Sequence, residues 1–201
     1  RPLTVAVPTI LFLLLLAAPV RDIRLGTVDA TILPTELESR RGFDILRDEF
    51  GLLNRTQIPV AYVFSEAEDT DPLSPGNLER LYAFGRALEG LNDVTRVRSI
   101  VNVAPDLDAG MYATLYKVPE AVTDVAVQTL LRDSIREGAV LFLVESDVEP
   151  FGPEASGLVS DIRAFDPGLD AALFVDGGSA EIKDVVDSLY GRFPIVAGIV
   201  I

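Results

Sequence analysis

An α+β domain set between two apolar helices is the fold that the sequence predicts, and three features predict it. Short apolar runs with strand character alternate with longer stretches whose apolar residues recur at helical spacing. Uncharged apolar segments occupy residues 2–20 and 193–201. Every acidic residue, 31 in all, falls between those two segments.

At 201 residues, 49% of them hydrophobic, the chain is long enough to bury a core of its own. Its formal net charge of -14 repels phosphates and anionic headgroups, which excludes nucleic acid as a partner and disfavours anionic surfaces. The chain has no histidine and no cysteine, so the usual catalytic triads and zinc sites have no residues to be built from. We therefore expect no enzyme, no cofactor and no metal. Glu66, Glu68, Asp69 and Asp71 form an acidic loop, but their spacing lacks the central glycine and closing glutamate of a calcium loop. A solvated loop accounts for them better, and the same holds for Asp106 and Asp108. With no tryptophan and 7% aromatic residues, the sequence offers no aromatic-lined cleft in which a carboxylate pair could hydrolyse sugars.

A run of about 18 residues at 1.5 Å per residue is near the lower limit for crossing a hydrocarbon core of about 30 Å. Residues 1–20 accordingly read as a transmembrane helix, with Pro8 tolerated within it. The competing reading is a signal peptide, because Leu13 to Leu16 resembles an apolar core region and Ala17-Ala18-Pro19 is rich in small residues. Residues 191–201 read as the truncated start of a second transmembrane helix, with a buried terminal strand as the alternative. Residues 21–190 then form one extracytoplasmic domain between the two spans.

Within that domain the first helix is expected over residues 41–53, where Phe43, Leu46, Phe50 and Leu53 share one face that should pack on the body. Residues 59–64 read as a strand. Ser74-Pro75 supplies an N-cap and a first-turn proline for a helix over 75–91, with Leu78, Leu81, Tyr82 and Leu88 inward. A strand over 94–103 follows, then a looser piece with Asp106, Asp108 and Gly110 and an amphipathic helix over 123–137 with Val127, Leu130, Leu131 and Ile135 aligned and an end at Gly138; the stretch around 110–137 is an insertion. Residues 139–144 form a nearly pure apolar strand. Residues 154–165 form a helix with Ala155, Leu158, Val159 and Ile162 inward, and residues 171–175 form a last strand. A final helix over 179–191 aligns Ile182, Val185, Val186 and Leu189. This order makes two βαβ halves, a ferredoxin-like split βαβ sandwich with its helices on one side of a four-stranded sheet and a helical insertion between the halves.

The chain also resembles the MMPL family of the RND transporter superfamily. The resemblance rests on Leu25-Gly26 through Asp29, Leu33-Pro34, Glu38 to Gly42, and Leu46 with Glu49-Phe50. It continues through the strand Gly138 to Val144, Leu158-Val159 with Ile162-Arg163, Val175 to Gly178, Ala180, Asp184 and Arg192-Phe193-Pro194. The order of these elements between two apolar runs makes the likeness more specific than any one of them. It implies a porter domain fragment of a proton-driven transporter in the cell (inner) membrane that exports lipids or other hydrophobic molecules. The implied partners are the cargo, the remaining transmembrane bundle and a second porter domain of the same polypeptide, with a homo-oligomer as an option. The family-motif positions are Gly26, Asp29, Pro34, Gly177, Gly178 and Asp184, and the Gly177-Gly178 pair is a candidate hinge or a plain turn. The alternative function is a membrane-anchored or secreted acidic ligand-binding module without transport activity.

Overall fold

The computed structural model describes residues 2–17, 30–51, 55–65, 69–119, 122–168 and 171–200. In chain order these form α1 (Pro2–Ala17), a 3-10 turn (Ala30–Ile32), α2 (Glu38–Asp48), β1 (Thr56–Phe64), α3 (Pro75–Glu89) and β2 (Val94–Arg98). They continue with α4 (Ala109–Leu115), α5 (Val125–Ser134), β3 (Ile135–Arg136), β4 (Ala139–Ser146), α6 (Pro153–Arg163), β5 (Ala171–Val175) and α7 (Gly178–Val200). The fold is α+β, with one antiparallel sheet of five strands.

The sheet runs β2-β4-β1-β5, and β3 is a two-residue strand that pairs with the start of β4. Because β1 and β2 are both antiparallel to β4, they run parallel to each other with β4 between them. β4 and β5 are likewise parallel with β1 between them. The two βαβ halves are thus interleaved. Alternation along β1 and β4 turns Ile58, Val60, Tyr62, Phe64, Val140, Phe142 and Val144 to one face, where they are buried. Leu78, Leu81, Phe84 and Leu88 of α3 and Leu158, Val159 and Ile162 of α6 complete this core from the helix side.

Phe84 is the hub of the core. Its ring meets Phe142 edge-on at 4.9 Å between centroids, Phe165 at 5.0 Å and Tyr62 at 5.3 Å. Such tilted and edge-on arrangements match the quadrupoles of the rings and add to the area they bury.

The opposite face of the sheet is only partly covered. The register aligns Phe174, Ala61 and Leu141 in one row across β5, β1 and β4. Phe174 is 61% exposed and Leu141 39%. The helical insertion departs from expectation in two ways. Its looser first part contains a helix, α4, while α5 flanks this outer face, across the sheet from α3 and α6. The helical pattern also stops at Ser134, because Ile135 and Arg136 turn into β3 and pair with Val140 and Ala139. Gly138 then lies in the hairpin turn, four residues beyond the helix.

Three further expectations need correction. α2 ends at Asp48 and has no buried residue, so Phe43 and Leu46 are not part of the core; Phe50 lies beyond the helix, exposed, and Leu53 lies outside the described residues. The helix side of the sheet is already filled by α3 and α6, and α2 is tied to the preceding 3-10 turn, where Arg40 donates to the Thr31 carbonyl at 2.5 Å. β2 ends at Arg98 instead of 103, because the Asn102 amide turns back onto the Ser99 carbonyl at 3.1 Å. Ser74 stands at the N-cap position of α3 but makes no side-chain bond to the helix; its hydroxyl goes to Asp69.

The terminal apolar runs are helical where described. α1 spans 16 residues, and α7 continues from the domain through Phe193 to Val200, which replaces the alternative of a terminal strand. Among the described residues no helix is long and apolar enough to cross a membrane. The two flanking transmembrane helices are therefore not part of the observed fold.

The hub predicts a large penalty for truncation. Phe84→Ala should lower unfolding free energy by about 3–5 kcal/mol, measured by guanidinium denaturation. A loss below about 1 kcal/mol would show that the aromatic cluster does not hold the sheet to α3.

Candidate functional site

The residues singled out in the C-terminal part of the sequence come together at one corner, where β5 turns into α7 beside α6. Arg163, in the last turn of α6, donates to both carboxylate oxygens of Asp184 on α7, at 2.5 and 2.9 Å. The same guanidinium reaches the Val175 carbonyl at the end of β5, at 3.3 Å. One planar fork thus ties a helix, a strand end and a second helix, which suits arginine and not lysine. The Arg163 hydrogen bond holds the Asp184 carboxyl below its ordinary range, and Asp184 raises Arg163 in return.

The turn itself is close-packed. Gly177 has φ +99°, and a Cβ there would lie 2.9 Å from Pro59 Cδ. A Cβ on Gly178 would lie 2.9 Å from the Phe151 ring. The Asp176 amide donates to the Pro59 carbonyl at 3.0 Å, which fixes the turn to β1. The pair is therefore an elbow seated against neighbouring residues on both sides. Phe151, itself at φ +74°, and Pro59 were not foreseen as part of this corner. The Phe151-Gly152-Pro153 sequence, with proline in the first turn of α6, was the available signal.

The other motif positions do not join the corner. Pro34 lies exposed between the 3-10 turn and α2, its carbonyl accepting from the Leu37 amide at 3.2 Å. Gly26 and Asp29 lie outside the described residues. Beyond the elbow, α7 leaves the body quickly. Ala180 is buried and Ile182 and Val186 half-buried, but Val185 and Leu189 are exposed.

Of the acidic loop, Asp69 and Asp71 serve local backbone, while Glu66 and Glu68 lie outside the described residues. Asp69 accepts from the Asp71 amide and Asp71 from the Leu73 amide, both at 3.0 Å. Asp108 caps α4 and Asp124 caps α5. The Ser74 hydroxyl bond holds Asp69 below the ordinary carboxylate range. Among the described residues no group of three or more His, Cys, Asp or Glu could hold a metal ion.

Two concave surfaces flank the sheet. An apolar groove of ≈ 640 Å³ runs between α5, through Val125, Ala126 and Leu130, and the outward-facing Leu141 and Leu143 of β4. A second cavity of ≈ 380 Å³ lies beside the edge strand β2, under the C-terminal half of α3. No protein-family model matches the chain, and no curated protein matches it.

Two outcomes test the corner. Gly177→Ala should cost about 1–3 kcal/mol, because a side chain at that φ is strained whatever space it finds. The Arg163–Asp184 pair is partly solvated, so Asp184→Asn should lower Tm at pH 7 by only about 1–2 °C. Asp184 has a depressed folded-state pKa, so its contribution is present above the unfolded value of about 3.9 and is lost as pH falls through the folded one. Wild type and Asp184→Asn should therefore melt ever more alike as pH falls towards the fully protonated form of Asp184. A Tm gap that persisted there would mean that the pair is not the cause.

Proposed function

We propose that this chain is a ferredoxin-like porter domain of an MMPL-type transporter of the RND superfamily, which exports lipids or other hydrophobic molecules with the proton gradient. In this reading the chain is joined to a membrane bundle and a second porter domain, and its body lies on the extracytoplasmic side. The observation that carries the proposal is the continuity of α7, which runs for 23 residues from the clasped elbow into the apolar terminal segment. A helix anchored in the sheet by Arg163–Asp184 transmits a displacement of that segment to the domain as a rigid lever. Porter domains that open and close a cleft by rocking need such a lever.

Two other features favour the reading. The interleaved strand order, with an insertion between β2 and β4, supports a split βαβ sandwich. The groove between α5 and the outer sheet face offers apolar walls to a hydrophobic cargo. The proton-carrying acids of such a transporter would lie within membrane helices, where an ionisable group is costly and kept for that task.

The test is export by the complete gene product in cells. Protonophore-sensitive efflux of a hydrophobic substrate is expected, and Gly177→Val should reduce it several-fold while the amount in the membrane stays unchanged. The absence of gradient-dependent export by the wild type would overturn the proposal.

A further inference from the structure

The cavity beside β2 has a chemistry that neither the clasped elbow nor the apolar groove shares. Two turns of α3, the edge of β2 and the segment 101–107 enclose it. Its ≈ 380 Å³ falls within the range of about 300–1,000 Å³ usual for small-molecule sites.

Glu89 lies in its wall, but both of its carboxylate oxygens are engaged. Arg86, one turn earlier on α3, donates to one of them at 2.5 Å. The Asn102 side-chain amide donates to the other at 2.6 Å. Asn102 is held close to the helix because residue 85 is glycine; a Cβ there would lie 2.7 Å from Asn102 Oδ1. This contact and the Glu89 bond fasten the 101–107 segment to α3 and give the cavity a fixed floor.

Arg96, on the exposed side of β2, lines the same cavity and enters none of the ion pairs found among the described residues. The wall therefore holds two cations, Arg86 and Arg96, against one anion, Glu89, and so one uncompensated positive charge in a chain of net charge -14. At physiological salt the remaining acids are largely screened beyond about 8 Å, so the local sign governs what enters. Val94, Val103 and Leu107, all half-buried, supply apolar wall beside Arg96.

We propose that this cavity binds a small amphipathic monoanion, a monocarboxylate with a short apolar or aromatic body. Its carboxylate lies on Arg96, and its body lies against Val94, Val103 and Leu107. A dianion such as phosphate monoester is disfavoured, since one of its charges would stand unneutralised near Glu89. The proposal does not rest on the transport reading, because a binding module without transport activity would hold the same ligand.

Methyl-resolved NMR of the intact chain, titrated with hexanoate, tests the site directly. Hexanoate should shift the methyl signals of Val94, Val103 and Leu107 and leave those of Leu141 and Leu143 in the apolar groove unmoved. Hexanamide, with the same body and no charge, should bind about tenfold more weakly. Arg96→Gln should weaken hexanoate by about tenfold and hexanamide far less. Arg98→Gln, which removes the neighbouring edge arginine paired with Glu145, should leave both affinities unchanged. Equal binding of hexanoate and hexanamide, or equal losses from Arg96→Gln and Arg98→Gln, would overturn the proposal. So would tighter binding of inorganic phosphate than of hexanoate, or no shift at the three methyl positions.

Discussion

Every ladder between the four main strands joins one half of the chain to the other. β1 and β2 come from the first βαβ half, and they pair only with β4 and β5 of the second. The central ladder, from Thr56 opposite Ser146 to Val63 opposite Ala139, is the constraint on which the rest depends. Without it neither half has a strand pair of its own, and α3 and α6 lose the surface that buries them. Because its partners are far apart in sequence, the ladder must close a long loop before its contacts stabilise anything, and so non-local a fold forms slowly.

Much of this architecture was legible in the sequence because burial on one face leaves a period. The apolar spacing of α6 named Ala155, Leu158, Val159 and Ile162, all four of them buried. β5 has the bounds read from its sequence. α3 was found by Ser74-Pro75 and its leucines, although Phe84, the centre of the aromatic cluster, was not singled out. Periodicity failed where it had no partner to report. Phe43, Leu46 and Phe50 keep a helical period, yet α2 ends at Asp48 and buries none of its residues. Amphipathicity states that a face is apolar and does not state what it meets. The end of α5 was misplaced for a different reason, since Ile135 continues the helical pattern while its backbone already belongs to β3.

The corner was legible in part. Gly177, Gly178 and Asp184 stood out by motif, but nothing in their spacing shows that Asp184 meets Arg163, 21 residues earlier, or that Gly177 is shaped by Pro59. Such contacts are set by the interleaving of the halves, which brings the end of β5 beside β1. The cavity near β2 was wholly hidden, because Arg86, Glu89, Arg96 and Asn102 are ordinary surface residues until the 101–107 segment folds back over α3.

The insertion between β2 and β4 spans residues 99–138 and holds both α4 and α5. Its ends are fixed by the sheet, yet the entropy of closing such a connection grows only with the logarithm of its length, about 0.6 kcal/mol for each doubling. The Tyr112 and Tyr116 hydroxyls, bound to the Ala104 and Ile100 carbonyls, pin its first part, and the stretch beyond them carries the outer wall of the groove. The chain thus places its most variable-tolerant segment against the apolar groove. A change of binding preference would need new residues in α5 and no change of register between the strands.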